Sequence, residues 1–238
     1  KETYSLVYKN GKWVKQGEYI SYHYDGSLKE KINYADGIEN GSFEIYYEDG
    51  SVYQKGNYLS GLFEGEFVLF YETGKIKERH YYKNGKLNGI SHGYYQSDSL
   101  CFSIEYKNGL ANGIWEYYYS GRGLSAKGTK VNGLFNGKYT TFHKNGAPHQ
   151  VYNYEKGKIN GAFSSFNELG GLLLKSNYLN DSIDGTYEIY YNNALKEYSG
   201  VNQVTEKGNY KNGKRVGERS MFYVNGQKYL EGRYANGL

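Results

Sequence analysis

A period of 24 residues constrains this chain more than any other feature. Tyr34-Ala35-Asp36-Gly37, Tyr58-Leu59-Ser60-Gly61, Tyr82-Lys83-Asn84-Gly85, Tyr106-Lys107-Asn108-Gly109, Lys130-Val131-Asn132-Gly133, Tyr154-Glu155-Lys156-Gly157 and Tyr178-Leu179-Asn180-Asp181 open successive segments, each 24 residues after the last. Self-similarity at fixed spacing marks a repeat architecture, in which each unit contacts mainly its neighbours. The unit from Tyr8 carries two extra residues, placed in Trp13-Val14-Lys15-Gln16, and the unit from Tyr178 carries eight extra within 192–202. A regular unit resumes at Tyr210, with partial units at 1–7 and 234–238. No composition shift, Pro/Ser-rich linker or charge block interrupts 1–238, so the sequence reads as a single continuous array.

Within a unit, Gly41-Ser42-Phe43-Glu44-Ile45-Tyr46-Tyr47-Glu48 has the alternation and the β-formers of a strand. Asp49-Gly50 reads as a two-residue hairpin turn with positive φ at both positions, and 51–58 as the returning strand. Gly recurs too often for helices, and no apolar stripe of period 3.6 survives across units. With 31 Tyr and 33 Gly, short strands joined by tight turns are the expectation. The fold class is therefore all-β: an elongated antiparallel array of about nine 24-residue β-hairpins, in a single-layer or gently curled sheet.

Counting from the first-strand glycine of each unit sorts the side chains. Five residues on stand Tyr22, Tyr46, Phe70, Tyr94, Tyr118, Phe142, Phe166, Tyr190 and Phe222. Two residues on stand Tyr19, Phe43, Phe67, Trp115, Tyr139, Phe163 and Tyr187, with Ser91 and Arg219 departing. The two columns differ in parity and so occupy opposite faces. With a two-residue turn, Leu28, Val52, Ile76, Leu100 and Leu124 join the second column and the unit-opening tyrosines on a core face. Lys31, Lys55, Arg79, Lys127, Lys175 and Lys207 then flank the first column on the other face. A one-residue register slip swaps these assignments.

The Tyr-x-Asn-Gly openings, Gly-x-aromatic strand starts such as Gly65-Glu66-Phe67 and Gly-x-Tyr junctions such as Gly56-Asn57-Tyr58 and Gly208-Asn209-Tyr210 resemble a MORN-repeat protein. They look most like a bacterial MORN-variant family that carries an antitoxin label. The resemblance covers essentially the whole chain and implies elongated hairpin arrays used for protein contacts. Lys130 in place of Tyr, Asp181 in place of Gly and the long unit depart from the pattern. Asp tolerates positive φ better than most residues, so the turn at Asp181 is expected to survive.

Charge and chemistry narrow the function classes. A net charge of +4 is too small to mark a nucleic-acid or acidic-membrane surface by itself. Cys101 is alone, which excludes an internal disulfide and a thiolate cluster. No apolar run approaches the roughly 18 residues of a membrane span. His23 and His143 stand where other units carry Tyr47, Tyr71, Tyr95, Tyr119, Tyr191 and Tyr223, so a repeat-position substitution accounts for them. No nucleophile, metal or phosphate-loop motif is present, and no enzyme, cofactor or metal is expected.

What remains is a binding or scaffolding module that meets a protein or peptide through the aromatic and basic face. The residues expected to carry binding are the nine aromatics from Tyr22 to Phe222 and the six cations from Lys31 to Lys207. Leu195 and Tyr198 join them in the enlarged unit, where insertions into repeats often serve recognition. The alternatives are an antitoxin-like protein that neutralises a toxin enzyme, or a cell-surface repeat protein binding glycan, lipid or nucleic acid. Exposed strand edges also lead to an expectation of end-to-end self-association. The start at Lys1 rather than Met leans the expected location towards an exported or cell-surface bacterial protein.

Overall fold

The computed structural model describes residues 1–121, 123–192 and 203–234. Among them the chain forms 23 strands and no helix, and every pairing between strands is antiparallel. It divides into two compact units, Lys1–Gly113 and Ile114–Leu238. Each is a meander of hairpins in which the long strands pair with one another in sequence, while Leu62–Phe63, Lys86–Leu87, Leu134–Phe135 and Lys158–Ile159 pair only with the strand before them.

In the first unit, Glu2–Lys9 pairs with Lys12–Tyr22, which pairs in turn with Leu28–Ala35. Ile38–Tyr46, Val52–Leu59, Gly65–Phe70, Ile76–Lys83, Gly89–Tyr94 and Leu100–Lys107 continue the pattern. The extra residues of the first hairpin lengthen the ladder next to its turn, with Val14 opposite Val7 and Lys15 opposite Leu6, before the register shifts between Thr3 and Ser5. The second unit repeats the plan through Gly137–Phe142, Pro148–Glu155, Gly161–Phe166, Leu172–Leu179, Ser182–Tyr190, Val204–Lys211, Lys214–Phe222 and Lys228–Tyr234.

The two margins of each unit carry different turns, and the two-residue type that the sequence reading gave to Asp49-Gly50 belongs to the other margin. The tight turns with two positive-φ residues are the repeat openings: Asn84 has φ 49° and Gly85 72°, closing the pair Lys83–Lys86. These are type I′ turns, whose twist suits a two-residue hairpin. Asp181 serves there with φ 69° beside Asn180 at 50°, so that turn survives the loss of Gly. Asp49-Gly50, in contrast, lies in a five-residue loop. Gly50 N–H donates to Tyr47 O at 3.0 Å and Tyr47 N–H to Ser51 O at 2.8 Å. Only Gly50 has positive φ, as in a type I turn followed by a bulge.

That loop corrects the side assigned to one aliphatic column. The ladder shifts between Ile45 and Tyr46, and Tyr46 then faces Val52. Leu28, Ile76 and Leu100 likewise face Tyr22, Phe70 and Tyr94. Directly opposed residues share a face, so these aliphatics lie with the fully aromatic column and not with Tyr19 and Phe43. The extra loop residues reverse the parity assumed for a two-residue turn.

The core lies where the other column falls. Phe43 is 1% exposed, and Tyr19, Phe67, Phe163 and Tyr187 are also buried. Phe43 packs against Tyr58 at 4.8 Å between ring centres, Phe63 at 5.7 Å and Phe67 at 6.0 Å. In the second unit Trp115, Phe135, Tyr139, Tyr152, Tyr154 and Phe163 form a corresponding chain of ring contacts. Gly56, opposite Phe43, leaves room for that ring: a Cβ there would stand 2.9 Å from Phe43 Cε1.

Successive repeats are stapled at both margins. Tyr47, Tyr71 and Tyr119 donate their hydroxyls to the carbonyls of Phe70, Tyr94 and Phe142 at 2.8–2.9 Å. At the type I′ turns, Gly61 N–H donates to Glu39 O and Gly85 N–H to Phe63 O. Asn40 and Glu64 side chains accept the amides of Ser60 and Asn84, at 3.1 and 2.7 Å.

Candidate functional site

In each unit the face opposite the core carries the residues singled out from the sequence. Eight members of its aromatic column, Tyr22, Tyr46, Phe70, Tyr94, Tyr118, Phe142, Phe166 and Phe222, are half-buried, and Tyr190 is 8% exposed. Lys55, Lys127, Lys175 and Lys207 are exposed, and Lys31 and Arg79 half-buried. Lys55 Nζ lies over the Phe70 ring at 5.5 Å, Lys175 over Tyr190 at 5.8 Å and Lys207 over Phe222 at 5.6 Å. Each of these three lysines thus places its ammonium over the aromatic residue of the next outgoing strand. Leu195 and Tyr198 lie outside the described residues.

This face is not simply basic. Glu44 and Glu188 stand directly opposite Lys55 and Lys207 in the ladder. Lys127 Nζ lies 2.8 Å from Glu116 Oε1, and Arg79 Nε 3.3 Å from Glu66 Oε1. Tyr118 donates its hydroxyl to Glu116 at 2.7 Å, and Tyr46 and Tyr190 donate to Glu44 and Glu188. Burial, reinforced by these carboxylates, pushes the Tyr46, Tyr118 and Tyr190 hydroxyls up to about 12. The carboxylates come from alternate positions of the same strands as the aromatics, so the face alternates acid, aromatic and cation.

Between these columns lie shallow hollows that recur at equivalent repeat positions. One of about 190 Å³ is lined by Ser42, Glu44, Lys55, Asn57, Glu66 and Val68. One of about 300 Å³ is lined by Ala162, Ser164, Lys175, Asn177, Thr186 and Glu188, and another of about 300 Å³ by Thr186, Glu188, Lys207, Asn209, Glu218 and Ser220. A fourth, of about 520 Å³, has a more apolar wall in Phe142, Pro148 and Val151. In the first three, a lysine and an asparagine of one return strand stand between outgoing strands. Small side chains at the first or third position after the strand glycine open the space.

Three of the five histidines make side-chain hydrogen bonds of two kinds. His23 and His143 donate Nε2–H to the carbonyls of Tyr46 and Phe166, at 3.2 and 2.9 Å. These are the bonds that tyrosine makes at the same repeat position, as the substitution reading requires. His80 is different, and the sequence reading missed its setting. Its Nδ1 lies 2.9 Å from Ser91 Oγ and its Nε2 2.9 Å from Glu78 Oε2. The signal was present, because Ser91 is where the inner aromatic column breaks.

A Ser–His–carboxylate chain invites comparison with a nucleophilic site, but Ser91 is 1% exposed and no substrate carbonyl reaches it in this conformation. The three groups satisfy one another in space that an aromatic ring fills elsewhere. Arg219 marks the second break in that column. Its Nε and one terminal nitrogen bind Glu206 at 3.1 and 3.0 Å, while Tyr187 donates to Glu206 at 2.6 Å. Among the described residues no group of three or more His, Cys, Asp and Glu is placed to hold a metal ion.

Residues 15–36, 39–59 and 63–84 match the model of the MORN repeat variant. Each matched segment ends at or near a type I′ turn, so the match has the same phase as the structural repeat. Repeats of this family are generally binding or scaffolding elements and are typically non-catalytic. No curated protein matches the chain.

Proposed function

We propose that the chain is a non-catalytic module that binds a protein or peptide on the outer faces of its units, which carry Tyr46 and Lys55 in the first and Lys175, Tyr190 and Lys207 in the second. The recurrence of the polar hollows supports this reading most directly, because they repeat the same lining at the same strand positions. Rigid, half-buried aromatics with adjacent hydrogen-bonding groups suit a protein partner. The alternation of Glu and Lys favours a partner of mixed charge over a polyanion. The closed setting of Ser91 supports the absence of catalysis.

Affinity capture from cell extract with the native chain and with a Lys55→Glu/Lys175→Glu/Lys207→Glu variant tests the assignment. The expected result is a set of proteins retained by the native chain and by a Lys156→Glu/Lys158→Glu control, and lost from the triple variant. Equal retention by the triple variant overturns the choice of face.

A further inference from the structure

In the first unit the two turn margins carry opposite charge. The type I′ turns themselves, at 9–12, 35–38, 59–62, 83–86 and 107–110, hold Lys9, Lys12, Lys83, Lys86 and Lys107 against Asp36, for a net +4, while the Glu64 and Glu39 carboxylates approach the turns at 83–86 and 59–62. The loop margin, at 23–27, 47–51, 71–75 and 95–99, holds Asp25, Glu48, Asp49, Glu72 and Asp98 against Lys75 alone, for a net −4. All of these charged turn and loop residues are exposed, Asp36 among them with a side chain 54% exposed. The whole chain is only +4, so its modest net charge hides a separation across the width of this unit.

Apolar groups accompany both charges. On the basic margin Ile38, Leu59 and Leu62 are each about half exposed. Leu59 and Leu62 stand opposite each other in the ladder, and Ile38 Cγ2 lies 3.2 Å from the place of a Cβ on Gly61, the residue before Leu62. Lysines flank the row at both ends, at 9 and 12 and at 83 and 86. On the acidic margin the Tyr24 side chain is fully exposed beside Asp25. An apolar centre within a charged rim is the anatomy of a protein interface.

We infer that this margin docks a second copy of the chain, with the basic–aliphatic turns of one copy against the acidic turns of the other. Both margins advance by two strands per repeat, about 9.6 Å, so their spacings match along the unit. Exposed charge pairs contribute little individually. The aliphatic row and Tyr24 therefore supply contact area, and the charges select the orientation. Because the two surfaces differ, the contact is heterologous and each added copy leaves both kinds of margin open. This contact is independent of the outer faces carrying Lys55, Lys175 and Lys207.

Sedimentation velocity of the full chain over a range of concentrations tests the inference. At about 0.01 M salt, where the Debye length is about 30 Å, the chain is expected to self-associate. At about 1 M salt, where that length is about 3 Å, association is expected to weaken about tenfold or more. Lys83→Glu/Lys86→Glu and Glu48→Lys/Asp49→Lys variants, each with native circular dichroism, are expected to be monomeric alone and to associate when mixed. A native chain that stays monomeric at low salt, or a mixture that does not associate, overturns the inference.

Discussion

His143 donates Nε2–H to the carbonyl of Phe166 at 2.9 Å, and Tyr119 makes the corresponding bond to Phe142 at 2.8 Å. Two different side chains therefore tie one hairpin to the next at the same place. His143→Tyr is expected to leave stability nearly unchanged, whereas His143→Ala should cost about 1 kcal/mol through the unpaired carbonyl. Urea unfolding of the two variants measures the difference, and equal losses contradict the staple.

The inner aromatic column should carry the largest share of stability. Phe43→Ala removes a ring that is 1% exposed and touches three others, so about 3–5 kcal/mol should be lost. Tyr24→Ala, at a fully exposed ring, should change the unfolding free energy by no more than about 0.5 kcal/mol. Chemical denaturation separates them.

At the type I′ turns, glycine answers two demands that can be separated. Gly11 and Gly85 both have positive φ, at 82° and 72°. A Cβ on Gly11 meets nothing within 4 Å, while one on Gly85 meets Leu62 Cδ2 at 3.2 Å. Gly11→Ala should cost about 1 kcal/mol from backbone strain alone. Gly85→Ala should cost more, by an amount that Leu62→Ala relieves. Absence of that coupling in a double-mutant cycle contradicts the contact.

How far the sequence carried the structure can be seen at these positions. The burial of Phe43, the survival of the turn at Asp181 and the equivalence of His143 with Tyr119 all followed from the period, because a repeat gives each residue several siblings for comparison. The side of Val52 did not follow. Asp49-Gly50 suits both a type I′ turn and a type I turn with a bulge, and the choice reverses parity. The Glu78–His80–Ser91 group was hidden for another reason. It joins two repeats, and only the pairing of Arg79 with His92 brings His80 beside Ser91.

That group also gives a pH dependence. The hydrogen bond from His80 holds the Glu78 carboxyl below its usual 4.5, outweighing burial, which acts in the opposite direction. A carboxyl lowered in the folded state adds stability above its unfolded value and loses it as pH falls through the folded one. Part of the acid destabilisation below about pH 4.5 should vanish in Glu78→Gln. An unchanged acid limb contradicts the assignment.

At alkaline pH the sign reverses. Tyr46, Tyr118 and Tyr190 are pushed up to about 12 from the ordinary 10. Raised tyrosines contribute stability that is complete below 10 and is lost as pH rises towards 12. Ultraviolet titration should show late-ionising tyrosines whose midpoint falls in Glu44→Gln/Glu116→Gln/Glu188→Gln.

The assignment of binding to the outer faces and not to the turn margin of Lys156 and Lys158 is tested most directly by covalent lysine labelling of the chain, free and with its captured partner bound. The account predicts that Lys55, Lys175 and Lys207 become protected while Lys156 and Lys158 keep their reactivity. Protection of Lys156 and Lys158 with Lys55, Lys175 and Lys207 still reactive would contradict it.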